Sequence, residues 1–205
     1  MAIFINQRQV FFGFSMELAS FESLVAEHLR RWPTTPTIET QGCQLIQNGF
    51  IDAELREFVK AVCRWGNYSG IAARVLNHKN NTLESIRSAL QEALRLLSPP
   101  MPDHRGALLA VNRLHSLGTP SFASKHLRFL RPDICPVLDS AIREGMAYSF
   151  DPDGYQEFAK DCIILANELQ NARIKNPRNR LDGRWFAADV EMALYAYLND
   201  WLVGA

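Results

Sequence analysis

Asp139 and Lys125 are the side chains whose type and setting point most directly to chemistry. Asp139 follows Pro136-Val137-Leu138, so an apolar segment delivers a carboxylate to the start of a helix. An aspartate there serves as an N-cap, and one oxygen can cap while the other faces a ligand. A fixed anion beside a sugar carbon stabilises the positive charge that builds when an N-glycosidic bond breaks, or orients the attacking nucleophile. A desolvated lysine amine can attack the same carbon and form a Schiff base; a surface or phosphate-contacting lysine is the plainer reading of Lys125. His115 and His126 are further proton carriers, although isolated histidines are more often structural.

Both residues sit in the run LHSLGTPSFASKHLRFLRPDICPVLDSAIR, which spans Leu114 to Arg143. Gly118 suits a left-handed turn that ends one helix, Thr119 can cap the next, and Pro120 fits its first position. The free N–H groups of such a helix start can hold a phosphate oxygen, with Arg113, Lys125 and Arg128 adding charge. The same spacing also fits an ordinary turn between packed helices. No acid lies between His104 and Arg131, a stretch that holds Arg105, Arg113, Lys125, Arg128 and Arg131. Arg173, Lys175, Arg178 and Arg180 form a second acid-free stretch. On a chain with 22 basic and 22 acidic residues, two separated basic segments suggest one polarised face, or two solvated loops.

The 205 residues suffice for one domain, or two small helical lobes sharing a core. Cys43, Cys63, Cys135 and Cys162 lie far apart with no C-x-x-C pair. That spacing argues against a zinc ribbon or a four-cysteine iron–sulfur cluster and for buried thiols in a reducing cytosol. The apolar start MAIFINQRQVFFGF has no basic leader region, and no later run is long enough to span a membrane. A soluble cytoplasmic protein is expected.

The elements that must position these residues read as mostly helical. Residues 3–14 suggest a short strand or extended arm. Helices are expected over 15–31, 52–65, 69–76, 82–97, 103–115, 153–169 and 186–202, with further helices in the hairpin region. Prolines 33 and 36 with glycines 42 and 49 mark a loop. About eight helices with short Pro/Gly joints predict an all-α fold.

Chemistry on a base inside a duplex requires flipping it out, a stacking surface, and a wedge to fill the gap. The turn Trp65-Gly66-Asn67-Tyr68 offers two aromatics and an amide at a helix break; as core aromatics they would be equally ordinary. The run LHSLGTPSFASKHLRFLRPDICPVLDS resembles the helix–hairpin–helix and Gly/Pro–Asp signature of base-excision DNA glycosylases, closest to the bacterial 8-oxoguanine-glycosylase-like branch. GYQEFAKDC and RWFAADVEMALYAYL are similar to that branch too, so the resemblance covers about residues 50–200. It implies a helix–hairpin–helix glycosylase fold with Asp139 as the essential carboxylate. It places Arg113, His115, Leu117, Gly118, Thr119, Ser121 and Arg128 against the DNA backbone. It puts Trp185 or Phe186 on the flipped base and Asp189 on its edge.

In many relatives the nucleophilic lysine lies two residues after the last hairpin glycine, where this chain has Pro120. Lys125 is offset from that direction by about 140°, five residues at roughly 100° each. A monofunctional enzyme that uses water is therefore expected, without cofactor or metal, acting as a monomer on double-stranded DNA with a flipped modified base. Oxidised guanine in repair and hypermodified phage cytosine in antiviral defence are the two substrate classes implied. A catalytically silent DNA-binding module and a helical interaction scaffold are the competing readings.

Overall fold

The computed structural model describes residues 16–67, 70–98 and 100–201, with the backbone of an antiparallel ribbon of β1 (Phe4–Ile5) and β2 (Arg8–Gln9). Tyr68 lies outside the described residues. Among them are ten α-helices: α1 (Ser20–Arg31), α2 (Thr35–Gln47), α3 (Asp52–Trp65), α4 (Ile71–Asn77), α5 (Leu83–Leu96), α6 (His104–Asn112), α7 (Pro120–Leu130), α8 (Ser140–Met146), α9 (Pro152–Asn171) and α10 (Ala187–Leu198). The all-α class expected from the spacing holds. The bounds of α3 match the sequence reading, and the side-chain caps of α5, α6, α8 and α9 come from Thr82, Asp103, Asp139 and Asp151.

One stretch read as a loop is a helix. Pro36 falls in the first turn of α2, where a missing N–H costs no hydrogen bond. Gly42 is buried mid-helix because α7 crosses there: a Cβ at this position would lie 2.0 Å from the Phe129 carbonyl oxygen. Glycine weakens a helix interior by roughly 0.5–1 kcal/mol, and the close crossing of α2 on α7 offsets that cost. Sequence periodicity does not register a glycine that serves a neighbour rather than its own helix.

Helix α10 is buried almost all round, from Ala187 to Leu194 and again at Ala196, as a helix that is apolar on every face must be. It packs against α1, α8 and α9, while α6 lies between α5 and α9. The buried apolar side chains form one continuous cluster.

Polar side chains join this core where α2, α7 and α10 meet. Arg128 is 0% exposed and donates to Glu39 Oε1 at 2.8 Å. Arg178 donates to Glu39 at 2.6 Å and Arg180 at 3.2 Å, and Arg180 forks onto both oxygens of Asp189 at 2.6 Å. Asn176 and the Phe186 N–H complete the Asp189 shell at 2.8 and 3.1 Å. Burial would raise the Glu39 carboxyl, but the charges of Arg128, Arg180 and Arg178 hold it down at about 2. The expected polarised face loses several members to this network and to surface pairs. Arg128, Arg178 and Arg180 turn inward, Arg131 forks onto Asp133, and Arg105 pairs with Asp153.

Removing one partner from a buried ion network leaves the others uncompensated, which costs roughly 3–5 kcal/mol. Glu39→Gln is therefore expected to lower the urea-unfolding free energy by about that amount. Glu57→Gln, at an exposed, solvent-screened pair with Lys60, should change it far less; equal losses in the two variants would contradict the ion-network account.

Candidate active site

The segment between α7 and α8 reaches the site because three elements hold it. The hydroxyl of Ser124 accepts the Leu138 N–H at 3.2 Å, and the Val137 amide lies close enough to the Glu191 carboxyl to favour its ionised form. The first amides of α10 donate to the carbonyls of Asp133 and Pro132, both at 3.1 Å. Arg131 adds a bond to the Leu97 carbonyl at 3.0 Å. With Val137 and Leu138 buried, the chain emerges at Asp139, whose Oδ1 accepts the Ile142 N–H at 3.1 Å and caps α8.

Asp139 borders a cavity of about 190 Å³. This is below the ~300–1,000 Å³ of drug-sized ligand sites and suits one planar heterocycle. Lys125, Asp139 and Glu191 supply its ionisable wall; His28, Trp32, Trp65 and Tyr195 supply an aromatic one, with Asn67 at the edge. The His28 and Trp32 rings stack at 5.2 Å, and Trp32 stacks in turn on Trp201 at 5.1 Å. Trp65 is held by its Nε1–H, which donates to Thr35 Oγ1 at 2.8 Å, and by edge contact with Phe129 at 5.0 Å.

Asp139, Lys125, Trp65 and Asn67 of the sequence-derived set thus share one cavity. Lys125 is buried on α7, and its Nζ donates to the hydroxyl and carbonyl of Ser121 at 2.9 and 3.1 Å. Trp65 is a half-buried wall of the cavity, and Asn67 is exposed with a left-handed φ of 60°.

Three other assignments are corrected. Arg128 is enclosed by Glu39, Phe129 and Trp65, so it cannot reach a nucleic-acid backbone. Trp185 is buried with its Nε1–H donating to the Ile174 carbonyl at 2.7 Å, and its ring meets Phe21 edge-on. Asp189 is 0% exposed and saturated by Arg180, Asn176 and the Phe186 amide, so it reads no ligand edge. Phe186 carries the Arg180 guanidinium 4.0 Å over its ring and lies outside the cavity lining.

The hairpin changes in detail. Ser116, with φ of 69°, takes the left-handed turn that Gly118 was expected to take. Leu117 is core, and Ser121 is buried and engaged by Lys125. The Thr119 hydroxyl makes no cap bond, while Pro120 opens α7 as expected. Arg113, His115, Gly118 and Thr119 remain exposed. The turn is fastened by the buried Asn81, which accepts the His115 N–H and donates to the His115 carbonyl, both at 3.0 Å. The His115 ring stacks on His78 at 3.4 Å.

Sequence reasoning missed Glu191, His28, Trp32 and Tyr195. Glu191 is 2% exposed, and its Oε2 has no hydrogen-bond partner. Burial pushes this carboxyl up to about 8; the Asp139 charge adds to the rise, while Arg128, Lys125 and the Val137 N–H oppose it. Burial, with the Arg128 and Arg178 charges, pushes His28 down to about 3, and its Nδ1 is also unpartnered. The available signal was a glutamate in RWFAADVEMALYAYL, a run otherwise apolar enough to be buried. The described residues hold no group of three or more His, Cys, Asp or Glu placed for a metal ion, and no helix among them is long and apolar enough to cross a membrane.

Compared with protein-family models, curated proteins and solved structures, the chain matches none.

The raised carboxyl carries a sign for stability. A group that holds its proton more tightly when folded favours the fold at low pH, and that contribution is lost as pH rises from the ordinary 4.5 towards about 8. His28 acts oppositely, costing stability as pH falls below its ordinary 6.5. The unfolding free energy of Glu191→Gln minus that of wild type should therefore grow with pH across the 4.5-to-8 window and level off above it. A constant difference in urea titrations would contradict the buried, proton-holding carboxyl.

Proposed function

We propose that this protein is a DNA glycosylase that hydrolyses the N-glycosidic bond of an extruded, modified base. The observation that carries the reading is the shared cavity: a carboxylate on a helix cap, a buried lysine and an aromatic wall enclose space for one base. In this reading the flipped base lies against the aromatic wall that includes Trp32 and Trp65, and Asp139 stands beside its deoxyribose. The anion stabilises the oxocarbenium-like sugar as the bond to the base lengthens, and it orients the attacking water.

The hairpin supports the same reading. Gly118 and Thr119 are exposed, and their N–H groups have no acceptor among the described residues. They sit just ahead of the positive end of α7, with Arg113 nearby in sequence, a setting that suits one phosphate. Asn81 holds the turn in shape for that contact. Lys125 is tied to Ser121, so in this reading it supplies positive charge at the cavity wall and water is the nucleophile.

The test incubates purified protein with duplexes carrying 8-oxoguanine, uracil or glucosylated hydroxymethylcytosine, then cuts abasic sites with alkali. Excision of at least one base is expected, and Asp139→Asn should slow it by roughly 10²–10³-fold or more while duplex binding persists. Without alkali, wild type should give no strand breaks; breaks that vanish in Lys125→Ala would establish a lysine nucleophile instead. Salt-sensitive binding without any excision would make the protein a DNA-binding module.

Asn81→Ala should weaken binding to undamaged duplex about tenfold, an estimate for loss of one well-ordered phosphate contact. Unchanged affinity would remove the hairpin from the interface.

A further inference from the structure

Glu191 and His28 are set apart from the other buried polar residues lining the cavity. Each presents an unpartnered polar atom, Glu191 Oε2 and His28 Nδ1, and both residues are 2% exposed. A buried polar atom without a partner costs roughly 1–3 kcal/mol, and on a residue that lines a ligand-sized cavity that cost is explained if a ligand supplies the missing bond. Glu191 is further constrained. The Val137 amide acts on its carboxyl, and Oε2 is a buried oxygen without a partner.

We propose that Glu191 donates a proton to the departing base, through its unpartnered oxygen and from the cavity wall that it shares with Asp139. The inference rests on the glycosylase reading and deepens it, because it defines the base. A neutral base that leaves with only the bond's electron pair departs as an anion. A proton delivered to a ring nitrogen or carbonyl oxygen lets it leave neutral. The substrate class is thus a neutral base that offers such an acceptor towards α10.

The step balances without an added redox partner. The C1′–N bond breaks and its electron pair goes to the base, while the Glu191 proton moves to the base acceptor atom. Water adds its oxygen to C1′ and releases a proton to solvent, and solvent later returns one to Glu191. Asp139 takes no proton in this step. Two carboxyls thereby take opposite roles because their surroundings differ: one caps a helix at the cavity edge, the other is enclosed.

The groups that act on Glu191 are Lys125 and Arg128 from α7, Asp139 at the start of α8, and Tyr155 and Cys162 from α9. From α1, His28 shares the cavity. Burial leaves His28, Tyr155 and Cys162 uncharged at neutral pH. Lys125 and Arg128 favour the ionised carboxyl and Asp139 the protonated one, and burial dominates.

Single-turnover excision would be followed from about pH 6 to about pH 9.5 on whichever duplex wild type cleaves, alongside binding to its uncleavable 2′-fluoro analogue. The wild-type rate constant should fall about tenfold per unit above about pH 8. Glu191→Gln keeps the shape but has no proton to transfer. It should lower the rate near pH 7 by about 10²–10⁴-fold and flatten the profile, with analogue binding unchanged. A wild-type rate that stays flat through pH 8, or a Glu191→Gln rate within about threefold of wild type, would overturn the proton-donor role and leave the glycosylase reading standing. If Glu191→Gln does not fold, the wild-type profile decides alone. Failure of wild type to excise any base in the panel would overturn the glycosylase reading itself, and the inference with it.

Discussion

The buried ion network around Glu39 is the constraint on which the site depends. Three arginines and two carboxylates meet where α2, α7, α10 and the segment before α10 converge. Charges taken out of water must find partners or the fold loses several kcal/mol, so each member fixes the position of the element that carries it. Arg128 is one turn beyond Lys125 on α7, and Asp189 is two residues before Glu191 on α10. The helices that present the lysine and the buried glutamate are thereby locked to each other, and α2 closes the arrangement from the other side. Glu39 reaches Arg178 and Arg180 across more than half the chain's length.

The same convergence shapes the electrostatics of the cavity. Arg128 is packed over the Phe129 ring at 4.4 Å and lies 5.5 Å from the Trp65 centroid, so its charge acts on the cavity from behind the aromatic wall. With Arg178 it helps keep His28 neutral. It also opposes the rise that burial imposes on Glu191, without cancelling it. Pairs of carboxyls whose surroundings push them apart are the usual arrangement where one acts as an acid and the other as an anion. Here burial inside an apolar helix raises Glu191, while Asp139 caps a helix at the cavity edge.

Aromatic packing gives the cavity its rigid side. His28, Trp32, Trp201 and Tyr195 form a continuous stack and edge cluster between α1 and α10, and Trp65 is pinned to Thr35. Large side chains with few rotatable bonds hold a planar surface at little entropic cost, which suits a wall against which a flat ligand is placed.

What the sequence by itself determined was local. Apolar spacing located most helices, and the oxygen-bearing caps at Thr82, Asp103 and Asp139 marked their starts, because an N-cap bonds to an amide only two or three residues away. Asp139 was legible for that reason, and Lys125 because the same short run carries it. The tertiary structure decided whatever depended on a distant partner. Helix α2 was hidden by Gly42, which serves the close approach of the Phe129 carbonyl, and the basic segments looked solvent-facing because Glu39, which gathers Arg128, Arg178 and Arg180, is remote from them in sequence. Asp189, Trp185 and Arg128 were assigned to a ligand for want of those partners. Glu191 and His28 joined the candidate site only when α1 and α10 closed over the segment before Asp139, since a carboxyl's proton affinity is set by what surrounds it in space.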